Sequence, residues 1–401
     1  GRAGVNVRAI AQGSSERNIS AVIDDSDTVR ALRAVHAGFY LSPQTLSIGI
    51  IGPGSVGSVL LEQMSGETAR LSSELNLDLR VRALASSRYM LLDDRAIDLH
   101  HWRDRLGASG EPLDLDHFIS HVQTEHIPHS VIIDCSASKI VADRYAQWLA
   151  RGIHVITPNK KANSDSYEYY QRLRREKRAG DARYLYETTV GAALPIIQTV
   201  RDLRQTGDRI QRVEGILSGT LAYLFNLYDA TRPFSELVRE AREHGYTEPD
   251  PRDDLSGMDV ARKVVILGRE MGLDLELGSI ELESLVPESL RAGSIGDFLD
   301  GLSDYDNLIL DVYRDAEQAG EVLRYIGRLE ADGRASVGLE SVPRDHAFAH
   351  INLTDNIVQF ETARYCENPL IVQGPGAGPA VTAGGVFADL LRLAGYLGAS
   401  L

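Results

Sequence analysis

The sequence predicts an α/β protein: a doubly wound, largely parallel sheet in its first half, then a mixed α+β unit. Three observations carry that expectation. An apolar, β-branched run, Leu46-Ser47-Ile48-Gly49-Ile50-Ile51, reads as a strand buried on both faces, and it passes directly into a glycine-rich turn and an amphipathic helix. Short apolar strands then alternate with helical segments. After Asp181 the pattern changes to small-residue loops and to strands typical of a mixed sheet.

Composition sets the outer bounds. A chain of 401 residues, 43% hydrophobic and 25% charged, can build two or three cores. A formal net charge of −15 argues against nucleic acid or an anionic membrane as partner and favours a small-molecule ligand. The two cysteines, Cys135 and Cys366, are too few and too far apart for a disulfide framework or a cysteine zinc site, which suits a reducing cytoplasm. No apolar run approaches the roughly 18 residues of a membrane span, and nothing resembles a signal peptide. The chain opens at Gly1, without methionine, and so reads as a piece of something longer.

In chain order, Val5-Asn6-Val7-Arg8-Ala9-Ile10 and Asn18-Ile19-Ser20-Ala21-Val22-Ile23 alternate like strands, and Ser26 reads as the cap of a helix running to Arg33. Such a piece is too small to bury a core alone. Pro43-Gln44-Thr45 reads as a linker into the strand at Leu46. That strand feeds Gly52-Pro53-Gly54-Ser55-Val56-Gly57, a GxGxxG, and a helix from Val59 towards Met64. In this setting the first glycine permits the tight turn, the second lets backbone approach a pyrophosphate, and the third lets helix and strand pack, while the helix N-terminus attracts phosphate. The first unit is therefore expected to be a Rossmann domain that binds a dinucleotide.

The next strand, Leu77 to Ala85, ends in Ser86-Ser87-Arg88, where an NAD site would place an acid. A carboxylate there would repel a 2′-phosphate, whereas Arg88 accommodates one, so NADP is expected in preference to NAD. The alternative is that Arg88 merely starts a solvated helix. Strands Val131-Ile132-Ile133-Asp134-Cys135 and Ile153-His154-Val155-Ile156-Thr157 flank a helix around Tyr145 to Leu149, and Ser136-Ala137-Ser138 and Thr157-Pro158-Asn159-Lys160 fall at their carboxyl ends, where open α/β sheets bind ligands.

In the second unit, Glu187 to Pro195 is a small-residue loop leading to a helix through Leu203, and Gln211 to Leu217 is a strand. Ser218-Gly219-Thr220 opens the helix carrying Tyr223 and Phe225. Strands recur at Leu323 to Gly327, Ala335 to Leu339 and Asn356 to Phe360, and a last helix from Thr382 is expected to return to the first unit.

The segment His244 to Lys263 carries the chemistry. Pro249 and Pro251 hold Glu248 and Asp250 extended, so a helix is expected only from Asp253. Ser256 with Asp259 matches a capping box, and Val260, Val264, Val265 and Leu267 have helical spacing. Asp259 and Lys263 then lie one turn apart on one face. That pair alone would fit an exposed ion pair contributing about 0.3–0.5 kcal/mol. The crowding of Glu248, Asp250, Asp253, Asp254 and Asp259 in one short segment is costly unless a cationic ligand or a lysine sits among them, which points to a site that recognises an amine and delivers a proton.

Taken together, the GxGxxG after its strand, Thr157-Pro158-Asn159-Lys160-Lys161, Glu187 to Pro195, Glu214 to Thr220, Gly245 to Lys263 and Gly374 to Gly385 resemble homoserine dehydrogenases. The likeness runs from about Leu46 to the C-terminus, and its Gly245 to Lys263 block is highly specific. Gly4 to Ser20 resembles the end of an aspartate kinase ACT domain, so the chain resembles the dehydrogenase part of a bifunctional aspartate kinase/homoserine dehydrogenase. No kinase domain fits in 42 residues, and no kinase activity is expected.

The resemblance implies an ACT remnant at 1–42, a Rossmann domain at 43–185, a substrate and dimerisation domain at 186–378 and a returning helix at 379–401. It implies reversible NAD(P)H-dependent reduction of L-aspartate 4-semialdehyde to L-homoserine by a cytoplasmic homodimer. Lys263 would donate the proton and Lys160 would assist near substrate and nicotinamide. Glu248, Asp254 and Asp259 would bind substrate, while Gly52, Gly54, Ser55, Val56, Gly57, Arg88, Ser136, Ala137, Thr157, Lys160, Gly245 and Gly384 would line the cofactor. Ala137 stands where a hydroxyl residue is often found, which puts one nicotinamide-side contact in doubt. Glu187, Val190, Ala192 and Leu194 match a loop that holds a monovalent cation, sodium, mostly through carbonyls; a tight loop without an ion is the alternative. Asp259 beside Lys263 is expected to hold the lysine protonated. A rival reading is a catalytically weak sensor and dimerisation module that binds NADP and an amino acid, with the ACT remnant as its regulatory part.

Overall fold

Two large sheets and a small hairpin organise the described residues, which are 5–12, 19–32, 35, 44–124 and 127–399 of a computed structural model. The hairpin pairs β1 (Val7–Gln12) with β2 (Ile19–Ile23) antiparallel, as the alternation predicts. It leaves Ile10 and Ile19 70% and 73% exposed among the described residues. Ser26 lies inside a 3₁₀ turn, Asp25–Asp27, instead of capping a helix, since the Asp27 amide bonds back to the Asp24 carbonyl. Arg33 and Pro43 lie outside the described residues.

The first sheet contains β3 (Thr45–Ile51), β4 (Asp78–Ala85), β5 (Tyr89–Leu92), β6 (Glu111–Pro112), β7 (His129–Asp134), β8 (His154–Ile156) and β9 (Tyr184–Leu185), in the spatial order β6-β5-β4-β3-β7-β8-β9. Every residue of β3 is buried, which is why its sequence is apolar without alternation. β4, β3, β7, β8 and β9 run parallel, and the order reverses between β3 and β7, opening a crevice at their carboxyl ends. The helix after β3, α1 (Ser55–Leu75), is much longer than the expected segment. Arg88 starts no helix. It sits in a tight turn that sends β5 back antiparallel to β4, because the Ser86 hydroxyl accepts the amides of Arg88 and Tyr89.

The second sheet contains β10 (Ile210–Ile216), β11 (Glu281–Leu282), β12 (Glu321–Glu330), β13 (Ala335–Pro343), β14 (Asp355–Thr362) and β15 (Leu370–Pro375), ordered β11-β13-β12-β10-β14-β15. Only the β11–β13 pairing is parallel. Three helices of this unit build the site: α2 (Gly219–Leu227), α3 (Pro251–Leu255) and α4 (Met258–Met271). The final helix, α5 (Pro379–Tyr396), begins three residues before the expected Thr382, with proline in its first turn. Its Val386, Leu390 and Leu393 pack with Leu60, Leu61 and Met64 of α1, so the chain does return to the first sheet.

Candidate active site

The glycine turn after β3 behaves as its spacing requires. Gly52 has φ +84°, and a Cβ there would lie 2.8 Å from the Ser136 amide nitrogen. At Gly57 a Cβ would overlap the Gly52 carbonyl oxygen, so the third glycine serves close packing. At Gly54 a Cβ would meet nothing within 4 Å, which leaves this stretch of backbone, with Ser55 and Val56 at the start of α1, open to a pyrophosphate. Gly384 is carried by α5, and a Cβ there would come within 3.9 Å of Gln63 Oε1 on α1. Arg88 is exposed, three residues beyond the end of β4.

Beside the turn, the ends of β7 and β8 are tied together by Asp134, a fully buried carboxylate that residue spacing did not reveal. It accepts the Ser136 amide at 2.8 Å, the Asn159 side chain at 3.1 Å and the Tyr145 hydroxyl. Thr157 is also fully buried, its hydroxyl bonded to the Asp134 carbonyl at 2.8 Å and accepting the Asn159 amide. Its side chain is therefore engaged in tying the strand ends together. Ser136 and Ser138 fix the next turn, while Ala137 is exposed at its tip.

Lys160 follows immediately, at the N-terminus of the short helix Lys161–Ser164. That helix docks on α4: Arg269 donates to the Asn163 carbonyl at 2.7 Å and Arg262 to the Ser164 hydroxyl at 3.1 Å. The docking brings Lys160 of the first unit to Asp259 of the second, with Nζ 3.2 Å from Oδ1. The other oxygen of Asp259 lies 2.8 Å from Lys263 Nζ, one turn on along α4. Lys263 is buried and donates to the Leu217 carbonyl as well, at 2.6 Å. Two of its three N–H bonds are thus committed, and the third is left for a ligand.

Burial and electrostatics set this cluster apart from a surface ion pair. Desolvation pushes the Lys263 ammonium down, the neighbouring Lys160 pushes the same way, and the Asp259 charge only partly opposes them. Asp259 therefore does not lift the Lys263 ammonium above its ordinary range: burial sets the net direction, which is down. Asp259 shows 47% side-chain exposure, yet, against a desolvation effect of opposite sign, the charges of Lys263 and Lys160 hold its carboxyl well below the usual carboxylate range. It stays an anion between two lysines.

The acidic segment is arranged differently from the expected convergence on one lysine. Helix α3 starts at Pro251, two residues early, because Asp250 caps it by accepting the Arg252 amide and proline is tolerated in the first turn. Asp250 is also paired with the Arg252 guanidinium at 2.6 Å. The Ser256–Asp259 capping box does not form: Gly257, with φ +70°, is the N-cap of α4, and the Ser256 hydroxyl bonds to the Asp253 carbonyl. Asp254 uses one oxygen for the Thr220 hydroxyl at 2.9 Å and the other for the Glu248 amide at 2.8 Å. Desolvation pushes its carboxyl up. Glu248 is thereby held, exposed, on the extended stretch that the prolines predicted. Gly245, with φ +74°, turns the chain out of the preceding helix towards Tyr246, whose ring stacks on Tyr223 at 4.4 Å. The roles of Thr220 and of the Leu217 carbonyl escaped sequence reasoning, although Thr220 belongs to the Ser218-Gly219-Thr220 turn it singled out and Leu217 directly precedes that turn.

In the loop from Glu187 to Leu194, Gly191 and Ala192 are successive left-handed residues with φ +73° and +52°. A left-handed alanine is strained, and such strain collects at functional sites. The Glu187 carboxylate is spent on the amides of Ile197 (2.8 Å) and Gln198 (2.9 Å), so only its carbonyl is left for a cation. Burial raises this carboxyl to about 7.

A glycine turn of the nucleotide-binding kind at the end of one sheet and a buried, desolvated lysine on helix α4, which packs on the other, make up a site of two halves. Comparison gives the class. Residues 52–187 match the NAD-binding domain of homoserine dehydrogenase, 195–391 match homoserine dehydrogenase itself, and 1–39 match an ACT domain. The homoserine dehydrogenase of Schizosaccharomyces pombe is 37% identical over 369 residues, covering 90% of this chain and 98% of that one. The chain belongs to the homoserine dehydrogenase family. The chloroplastic bifunctional aspartokinase/homoserine dehydrogenase 2 of Zea mays is 55% identical over 401 residues, 99% of this chain but 44% of the relative, so the chain spans less than half the length of such bifunctional relatives. A Candida auris protein of unknown function, 36% identical, superposes with a TM-score of 0.82 over 88% of this chain and 99% of its own. A hyperthermophilic archaeal homoserine dehydrogenase in complex with NADPH shares the fold at 21% identity, with a TM-score of 0.67 over 87% and 97% of the two chains. Family membership favours the enzyme over the sensor module. No helix among the described residues is long and apolar enough to cross a membrane.

Proposed function

We propose that this chain interconverts L-aspartate 4-semialdehyde and L-homoserine with NADP(H). The observation that carries the reading is the bridge Lys160–Asp259–Lys263, which joins the nucleotide-binding unit to the substrate unit at one point. The bound dinucleotide supplies or accepts the hydride at the aldehyde carbon. Lys263 directs its remaining N–H to the aldehyde oxygen and gives up a proton as charge develops there; in the oxidation direction the neutral amine takes that proton back. Asp259 keeps the two ammonium groups together, and Lys160 adds positive charge beside the reacting oxygen. Glu248 offers a carboxylate to the substrate ammonium, and Asp254 positions Glu248 and does not itself reach substrate.

NADP is proposed over NAD because Arg88 stands exposed where an acid would exclude a 2′-phosphate. Ser136, Ala137 and Gly245 are proposed to line the cofactor side of the cleft. The division at 1–42, 43–185, 186–378 and 379–401 is proposed, supported by the extents of the two sheets and of the last helix. Sodium held by the carbonyls of Glu187, Val190, Ala192 and Leu194 is proposed on the strained turn. A homodimer through the second sheet is proposed on the likeness to the homoserine dehydrogenase family. Light scattering that gives a monomer at micromolar concentration would remove that proposal. An aqueous, reducing compartment suits the free thiols of Cys135 and Cys366, and a plastid meets that need as well as the expected cytoplasm.

The test is homoserine-dependent reduction of NADP and NAD at alkaline pH, alongside other hydroxy amino acids. Brisk turnover of homoserine with NADP supports the reading. Tight NADPH binding with no turnover of homoserine, or faster turnover of another substrate, would defeat it.

A further inference from the structure

Lys263 can aim its third N–H only if the other two are fixed, and one of them ends on the carbonyl of Leu217. That carbonyl has a second donor. Asn356 Nδ2 lies 3.2 Å from it, and the Asn356 side chain is fully buried at the start of β14. Leu217 itself directly follows β10, the strand beside β14, so the contact spans neighbouring strands where the sheet meets the site. Gly376 closes over the amide from the other side: a Cβ at that position would overlap Asn356 Cγ. The opposite atom of the amide, Oδ1, is buried with no hydrogen-bond partner among the described residues. A buried acceptor left unpaired costs about 1–3 kcal/mol, which offsets what the bond to the Leu217 carbonyl contributes to folding.

We infer that Asn356 is a positioning residue for the reaction: by holding the Leu217 carbonyl from behind, it sets the direction in which Lys263 presents its free N–H, and Gly376 is required to keep the amide in place. The inference rests on the role proposed for Lys263. The charged groups facing Lys263 are Asp259 on its own helix, Lys160 after β8 and Asp254 on α3, and none of them touches Leu217, so the carbonyl is an independent constraint.

The test uses the whole chain with Asn356→Ala, the isosteric Asn356→Asp and Gly376→Ala, each checked for NADPH binding, with Lys263→Ala alongside. Asn356→Ala and Gly376→Ala should lower kcat about five- to tenfold, the effect of one hydrogen bond, with little change in the KM for homoserine or in NADPH affinity. Their solvent deuterium isotope effect on kcat should rise as proton transfer becomes more limiting, a change that packing damage alone would not produce. Asn356→Asp places a negative charge behind the lysine, so the rising limb of the pH profile for homoserine oxidation should move to higher pH. Gly376→Ala reaches the amide without deleting it, so it reads the role even where Asn356→Ala does not fold. Wild-type kcat, isotope effect and pH profile in the folded variants, with Lys263→Ala inactive, would overturn this inference alone. An active Lys263→Ala would overturn the proposed role of the lysine itself.

Discussion

Asp259 sets one carboxylate oxygen 2.8 Å from the Lys263 ammonium, a single turn along the same helix, and turns the other to Lys160 at 3.2 Å. Burial works against the charge of Lys263, and Asp259 is the counterweight. Asp259→Asn should lower the Lys263 ammonium further, with Lys160 unopposed beside it. Semialdehyde reduction, which needs the proton, should fall by on the order of 100-fold. Oxidation of homoserine, which needs the free amine, should keep its activity down to lower pH than the wild type. Initial rates in both directions across pH 6–10 check this, and parallel loss in both directions without a shift would contradict it.

The glycine turn separates folding from binding. Gly57→Ala should destabilise the protein, because the new Cβ overlaps the Gly52 carbonyl, whereas Gly54→Ala meets no protein atom. Gly54→Ala should therefore melt like the wild type yet bind NADPH more weakly, since the methyl group occupies the path of the pyrophosphate. Thermal melts with and without NADPH distinguish the two.

Arg88→Ala should weaken NADPH about 10- to 100-fold, the range for losing one charge-assisted contact, and leave NADH unchanged. Titration of intrinsic fluorescence with each cofactor measures it. Equal weakening of both would place Arg88 outside the 2′-phosphate site.

Asp254 has both oxygens engaged within the protein, one by Thr220 and one by the Glu248 amide. Asp254→Ala should free the Glu248 stretch and raise the KM for homoserine about tenfold or more while NADPH affinity holds. A change confined to NADPH binding would contradict that placement.

Burial holds the Glu187 carboxyl at about 7, above its ordinary 4.5. The sign follows from that. Between about pH 4.5 and 7 the folded chain keeps a proton that the unfolded chain has lost, so this group's contribution is fully present below pH 4.5 and is lost as pH rises towards 7, by about 3 kcal/mol at most. Glu187→Gln should flatten the stability profile in that window. A cation on the neighbouring carbonyls would pull the carboxyl down, so the wild-type slope should be shallower in sodium chloride than in choline chloride at equal ionic strength. Identical slopes in denaturant titrations would count against the cation.

Much of this fold was readable from periodicity. The uninterrupted apolar run of β3 announced a strand buried on both faces, and the glycines after it announced the turn, because both are local steric requirements. The pairing of Asp259 with Lys263 was legible for the same reason, as helical spacing is local. What was hidden depended on tertiary contacts. The β4–β5 reversal hinges on one serine hydroxyl, the start of α3 at Pro251 on an aspartate cap, and the Lys160–Asp259 contact on docking of residues more than ninety apart. Asp134, Thr220 and Asn356 are polar residues in apolar surroundings, and only the buried carbonyls, amides and hydroxyls they meet in three dimensions give them a role.

The central claim is that Lys263 moves the proton. Turnover of homoserine by Lys263→Ala beside wild type, with NADPH affinity measured on both, tests it most directly. The account predicts intact NADPH binding and a loss of kcat of roughly 100-fold or more, the range for a missing general acid–base group. Wild-type kcat in a variant that binds NADPH normally would contradict it.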